Sequence, residues 1–219
     1  MSLKVVVVGS TGATGTALVA QLLQESAIAR ISALVRKAPP ASDTASDGDG
    51  AKLEHRVVDF DNLKSTADGV FNGVDVVFCT LGTTRKVAGK AGFIKVDHDY
   101  VLEAAQLARD AGVRHFSIVT SQGASASSLF LYMSVKGKVE DALRAMKWPH
   151  LTILQPGMLD RPNSQRIIER IAASIIPALP VSTLACAMMR NAIAQAQADK
   201  SADGSVTVLS NGEIKKLGA

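Results

Sequence analysis

The sequence predicts an α/β fold: a doubly wound parallel β-sheet with a small, mostly helical C-terminal elaboration. Three observations point there. Seven short β-branched runs alternate with helix-length amphipathic segments, and such alternation implies right-handed crossovers onto one sheet with helices on both faces. A glycine-rich loop, "GSTGATG", joins the first run to the first amphipathic segment. Beyond Pro156 the strand pattern thins, leaving mostly helix from Asn163 to Ala198 before one last short strand.

The runs are Val5 to Val8, Ile31 to Val35, His55 to Val58, Asp75 to Leu81, His115 to Thr120, Leu151 to Leu154 and Val206 to Leu209. Between the first two, Leu18, Val19, Leu22 and Leu23 recur at helical spacing and face the sheet, making the chain open with a βαβ unit. From Ala38 to Gly50 the composition turns to Ala, Pro, Ser, Asp and Gly, which reads as a loop with no core to bury. A length of 219 residues at 47% hydrophobic suits one well-buried core, so residues 1–219 are expected to form a single domain in which 157–219 supply a small substrate cap and the final strand.

Composition also narrows the ligand. The formal net charge is +4 without a run of like charges, and aromatic residues are only 4%, which favours a small anionic ligand over nucleic acid. Cys79 and Cys186 lie in apolar contexts and read as free thiols of a reducing compartment, hence a cytoplasmic protein. The short apolar N-terminal run reads as a buried strand, neither signal peptide nor membrane span. His55, His98, His115 and His150 show no metal-ligand spacing, so no metal is expected. No GxSxG elbow marks a serine hydrolase.

Gly9, Gly12 and Gly15 sit at a strand-to-helix junction, where a missing Cβ permits a tight turn, close approach of a pyrophosphate and close helix packing. Backbone N–H groups from Ser10 through Ala13, with the hydroxyls of Ser10, Thr11 and Thr14, would face the anion. The GxxGxxG spacing is one residue longer at the front than the commonest dinucleotide fingerprint. At the end of the second strand, where an NAD site carries an acidic residue, this chain has Arg36 and Lys37. Those cations suit the 2′-phosphate of NADP(H), the alternative being a solvated loop. Asp59 meets the adenine edge or caps the next helix. Leu81, Gly82 and Thr83 lie at the carboxyl edge of the sheet, where ligands of open α/β folds bind.

Chemistry points to "SLFLYMSVKGKVEDAL". Tyr132 and Lys136 are four apart on one helix face, so the ammonium lies below the phenol and stabilises its phenolate form. Such a phenol can exchange a proton with a carbonyl or alcohol oxygen while hydride moves to or from a nicotinamide. Ser121, at the end of the fifth strand, is preferred over Thr120, Ser125 and Ser127 as the hydroxyl that holds the substrate oxygen. Asp97, His98 and Asp99 form a charge cluster, but adjacent helix residues point in different directions and are not expected to form one site.

Together, "GSTGATG", "LVRK", "VVDF", "CTLGTT", "FIKVDHDYVLEAAQLARDAGVRHFSIVTSQGA", "YMSVKGKVE" and "LQPGML" resemble the short-chain dehydrogenase/reductase superfamily across nearly the whole chain. The resemblance is to its atypical NADP-binding branch, which includes the Tat-interacting oxidoreductase-like proteins. It implies a Rossmann fold, glycines that hold the pyrophosphate, Lys136 on the nicotinamide ribose, and Pro156 with Gly157 near the nicotinamide. The family's Tyr, Lys and Ser map onto Tyr132, Lys136 and Ser121. Where many relatives have an Asn after the fourth strand, this chain reads "VDHDY". The expected activity is reduction of a carbonyl on a small-molecule substrate; the resemblance also admits an NADP(H)-sensing regulator with a protein partner. Neither nucleic acid nor membrane is an expected partner, and an oligomer is allowed.

Overall fold

The computed structural model describes residues 2–39, 51–160, 178–198 and 204–219. Seven strands form one parallel sheet: β1 (Leu3–Val8), β2 (Ile28–Val35), β3 (Leu53–Val57), β4 (Val76–Cys79), β5 (His115–Val119), β6 (His150–Gln155) and β9 (Ser205–Ser210), in the order β3-β2-β1-β4-β5-β6-β9. The short strands β7 (Leu159–Asp160) and β8 (Leu179–Pro180) pair separately, also in parallel. The order reverses between β1 and β4, which opens a crevice at the carboxyl edge where α/β folds bind ligands.

Both faces of the sheet are covered. On one, Val6, Val8, Val77, Phe116, Leu151 and Ile153 pack against α2 (Leu63–Thr66), α4 (Tyr100–Asp110), α5 (Leu131–Ala145) and Trp148. On the other, Val5, Val7, Ile31 and Phe78 meet α1 (Ala13–Gln24), α6 (Val181–Gln197) and α7 (Asn211–Gly218). Leu18 and Leu22 of α1 are fully buried, contributing about 2 kcal/mol each. The α1–sheet packing expected from their spacing is present. Leu184 and Met188 likewise form the buried stripe of α6.

Two expectations are corrected. The third strand runs from Leu53 to Val57 instead of His55 to Val58: Leu53 pairs with Ile31 and is buried, whereas Val57 is exposed at the sheet edge. Nor is the short strand after Ala198 the last element, because α7 follows β9. Its start is a capping box, in which the Ser210 hydroxyl accepts from the Glu213 N–H and the Glu213 carboxylate accepts from the Ser210 N–H. The remaining strands match to within a few end residues. Most of the Ala38–Gly50 loop, residues 40–50, and the central part of the expected cap, residues 161–177, lie outside the described residues.

One helical run departs from α geometry. Helix α3 (Arg85–Ile94) passes through a π-helical segment, Lys95–Asp99, into α4, and Gly89, at φ +69° and ψ −177°, interrupts α3 itself. π segments of this kind concentrate at functional sites.

Candidate active site

Because the sheet is parallel, the carboxyl ends of β1, β2, β4, β5 and β6 bring the glycine loop, Arg36 with Lys37, residues 81–83, Ser121 and Pro156 with Gly157 to one edge. The three glycines answer three different demands. At Gly9, φ is +88° and a Cβ would come 2.8 Å from the Leu81 nitrogen, so the residue permits both the turn and the contact with the end of β4. A Cβ at Gly15 would lie 2.1 Å from the Gly9 carbonyl oxygen, which fixes helix α1 against the loop. At Gly12 a Cβ would meet nothing of the protein nearer than 3.4 Å. That leaves the space in front of Gly12 open to close approach by a ligand.

The loop is anchored from both neighbouring strands. Ser10 Oγ, buried, donates to the Leu34 carbonyl at 3.0 Å, and Thr80 Oγ1 donates to the Gly9 carbonyl at 3.0 Å. The side chain of Ser10 therefore holds β2, leaving its backbone for any anion. Helix α1 begins with Gly12 as N-cap, has no side-chain cap, and carries no acidic residue in its first turn. Its free N–H groups and the positive end of its dipole suit a phosphate, so the residues present fit a dinucleotide pyrophosphate. Thr11 is exposed, Ala13 half-buried and Thr14 buried. Arg36 and Lys37 are exposed directly beyond β2, where the Ser10 tether keeps the strand end beside the loop. Asp59 acts as an N-cap: its carboxylate accepts from Asp61 N–H at 2.9 Å and from Asn62 Nδ2 at 2.8 Å.

Helix α5 carries the Tyr-Lys pair. Tyr132 is 41% exposed, and its ring stacks on Phe93 at 5.7 Å between centroids. One turn along, Lys136 is buried with its ammonium 2.9 Å from Asp97 Oδ1, while Asp97 Oδ2 accepts from Thr83 N–H at 2.7 Å. Asp97 is thus the clasp between the end of β4 and the lysine. Asp97 parts from its neighbours His98 and Asp99, which pair with each other; it lies in the π segment, on the buried line of Phe93, Val101, Ala104 and Ala105. A carboxylate on an otherwise apolar helix stripe must find a buried partner, and that stripe was the available signal.

Around the pair, Ser121 is half-exposed, its hydroxyl donating to the Gln122 carbonyl at 3.2 Å. The alternative Thr120 is committed elsewhere, donating to Glu140 Oε1 at 2.6 Å, and Ser125 and Ser127 bond one another. Glu140, also unforeseen, is buried one turn past Lys136 and further accepts from Gln155 Nε2 at 2.9 Å, tying α5 to the ends of β5 and β6. Gln122 N–H donates to the Pro156 carbonyl, and Gly157 N–H to Asn211 Oδ1, which fixes the loop after β6. Burial pushes the Cys79 thiol up to about 11, so it is no nucleophile. Among the described residues no His, Cys, Asp and Glu cluster could hold a metal ion.

Residues 9–176 match the family model described as NAD(P)H-binding. The chain belongs to this NAD(P)H-binding family. It is 35% identical to protein HTATIP2 of Rattus norvegicus, over 98% of this chain and 88% of that one. Against the protein fmp52, mitochondrial, of Aspergillus clavatus it is 35% identical over 71% of its length, spanning 66% of the fungal protein. Among solved structures, the oxidoreductase ylbE from Lactococcus lactis superposes with TM-score 0.66 at 20% identity, covering 100% of this chain and 95% of that one. MoeE5 in complex with UDP-glucose and NAD gives TM-score 0.67 at 16% identity, over 94% and 75%. These two show that the family member shares the Rossmann fold. No helix among its described residues is long and apolar enough to cross a membrane.

Proposed function

We propose that the chain is an NADP(H)-dependent oxidoreductase that interconverts a carbonyl and an alcohol on a small substrate. The observation that carries this reading is the accessible Tyr132, one helical turn from the buried Lys136, whose ammonium lies beside Gly82 and Asp97 next to the carboxyl end of β4. The NADP(H) preference rests on Arg36 and Lys37, and the cytoplasmic location on the free thiols Cys79 and Cys186.

When bound, the nicotinamide supplies or accepts the hydride. Tyr132 gives its phenolic proton to the substrate oxygen in reduction and takes it back in oxidation. Ser121 turns its hydroxyl from the Gln122 carbonyl to that oxygen and holds it. Lys136, one turn along α5 from Tyr132, would bind the nicotinamide ribose and support the phenol in the proton transfer, while Asp97 holds its ammonium in place. Leu81, Gly82 and Thr83 would form one wall for the cofactor and Pro156 with Gly157 another; Asp59, whose carboxylate caps the helix after it, would meet the adenine only alongside that role.

Tyr132→Phe tests the reading. Turnover of carbonyl compounds with NADPH falls by at least a hundredfold while NADPH affinity changes less than threefold. Retained turnover would remove Tyr132 from the chemistry. Tight NADPH binding by the wild type with no turnover over a broad carbonyl panel would favour a cofactor-sensing regulator.

A further inference from the structure

Beside Tyr132, between the start of α3 and the loop that enters α5, lies an open cleft of about 360 Å³, lined by Arg85, Lys90, Ser128, Leu129, Leu131 and Ser134. Two of its six lining residues are cations and none is acidic. Among the described residues, neither Arg85 nor Lys90 has an ion-pair partner. In an uninterrupted helix, residues five apart point about 140° away from each other. The break at Gly89 removes that constraint, and both cations reach the same cleft. A Cβ at Gly89 would touch nothing within 4 Å, so the glycine is there for its backbone conformation rather than for space.

The cleft also has a polar and an apolar side. Ser128 Oγ accepts from Phe130 N–H, which leaves its own proton available to an anion. Leu129 is 100% exposed, and Phe130, next to it, and Val87, between Arg85 and Lys90, are exposed too, large apolar side chains left in water. The cleft neighbours the turn of α5 that carries the phenol: Leu131 precedes Tyr132, and Phe93, three residues after Lys90, stacks on the Tyr132 ring.

We propose that this cleft binds the far end of an amphiphilic, anionic substrate, an oxo acid whose carboxylate sits on Arg85 and Lys90 and whose hydrocarbon part covers Leu129 and Leu131. The assignment of the bound molecule as a substrate rests on the carbonyl-reducing role of Tyr132; the assignment of the cleft as an anion site does not. A concave site adjoining a reactive phenol favours a small molecule over a membrane surface.

The experiment separates the two. Decanoate, which carries the charge but no reducible carbonyl, and its neutral counterpart decanamide are titrated calorimetrically into full-length protein with saturating NADP+. Decanoate should bind at least tenfold more tightly than decanamide. The Arg85→Ala, Lys90→Ala variant should lose that preference with NADPH affinity unchanged, and shortening to octanoate should cost about fourfold per methylene. Equal binding of acid and amide, or a preference that survives in the double variant, overturns the proposal. So does binding to phosphatidylglycerol vesicles that needs the two cations while free decanoate does not bind, which would give the patch to a membrane. If the decanoate preference holds and no carbonyl compound is turned over, the cleft assignment stands and the oxidoreductase reading falls. Turnover of neutral ketones by Tyr132 with no charge preference is the reverse outcome.

Discussion

Replacing Asp97 by alanine should be among the most damaging changes near the site, and its cost can be divided. The side chain is 1% exposed and makes two contacts: the ion pair to Lys136, itself only 5% exposed, and the hydrogen bond from Thr83 N–H. Deleting one partner of a buried pair leaves the other charge uncompensated, at about 3–5 kcal/mol. The Thr83 N–H, left without its acceptor, accounts for about 1–3 kcal/mol. In a chain of this size each kcal/mol lowers Tm by about 2–4 °C, so Asp97→Ala should lose at least about 6 °C. Removing Lys136 as well, in Asp97→Ala, Lys136→Met, takes away the stranded charge, and stability should return to within about 1–3 kcal/mol of wild type, the residue of the unmade Thr83 hydrogen bond. Urea denaturation of wild type, both single variants and the double variant closes the cycle. A single Asp97→Ala variant within about 0.5 kcal/mol of wild type, or a double variant no more stable than that single, would refute the clasp.

Gly12→Ala and Gly15→Ala should separate binding from folding. The first meets only the Gly9 carbonyl at 3.4 Å and should cost less than about 1 kcal/mol while lowering NADPH affinity at least tenfold; the second forces a 2.1 Å contact and should prevent stable folding. Comparable stability of the two would contradict the division of roles. Arg36→Ala, Lys37→Ala should weaken NADPH binding at least tenfold, followed by nicotinamide fluorescence, and leave NADH unchanged; equal loss of both would leave the 2′-phosphate reading without support. His115 gives a pH signature. Burial, with the nearby His150, lowers it to about 3, and its Nε2–H donates to Thr152 Oγ1, which in turn donates to Asn191. Below about pH 6.5 the unfolded chain binds a proton that the native state refuses until about 3, so this contribution is complete above 6.5 and lost on acidification at about 1.4 kcal/mol per pH unit. His115→Gln keeps a donor for Thr152 and should flatten the stability difference between pH 7 and 5 by up to about 2 kcal/mol; an unchanged pH dependence in urea melts would count against it.

Features carried by short spacing are legible in the sequence alone. The glycine loop and the Tyr132–Lys136 pair each lie within one turn or one junction, so their local geometry follows from residue order. The sheet was legible because buried parallel strands are written as β-branched runs, but β3, at the edge, has an exposed Val57 and a buried Leu53, and there hydrophobicity alone misplaces the ends. Helix α7 was marked by the Ser210 to Glu213 capping-box spacing, although its content is too polar to stand out as a core element. Asp97 and Glu140 were harder for a different reason. Their partners arrive from other elements, Lys136 to Asp97 and Thr120 with Gln155 to Glu140, and no periodicity within one segment specifies such meetings. What the pattern did contain was an acid on an apolar stripe, which announces a buried partner without naming it.

The π-helical segment at Lys95–Asp99 makes chain length itself a determinant of the site. Each residue added to or taken from a helix turns everything on one side of it by about 100° relative to the other. On the N-terminal side are Arg85, Lys90 and Phe93; within the segment is Asp97, and beyond it α4 is locked into the core. Deleting one residue there would restore ordinary α-helix and move either Phe93 off Tyr132 or Asp97 off Lys136, because one rotation cannot preserve both contacts. The substrate-side surface and the lysine clasp are therefore phased against each other by a single extra residue, and insertions or deletions at this point, more than substitutions, would re-aim the cleft on an unchanged cofactor frame.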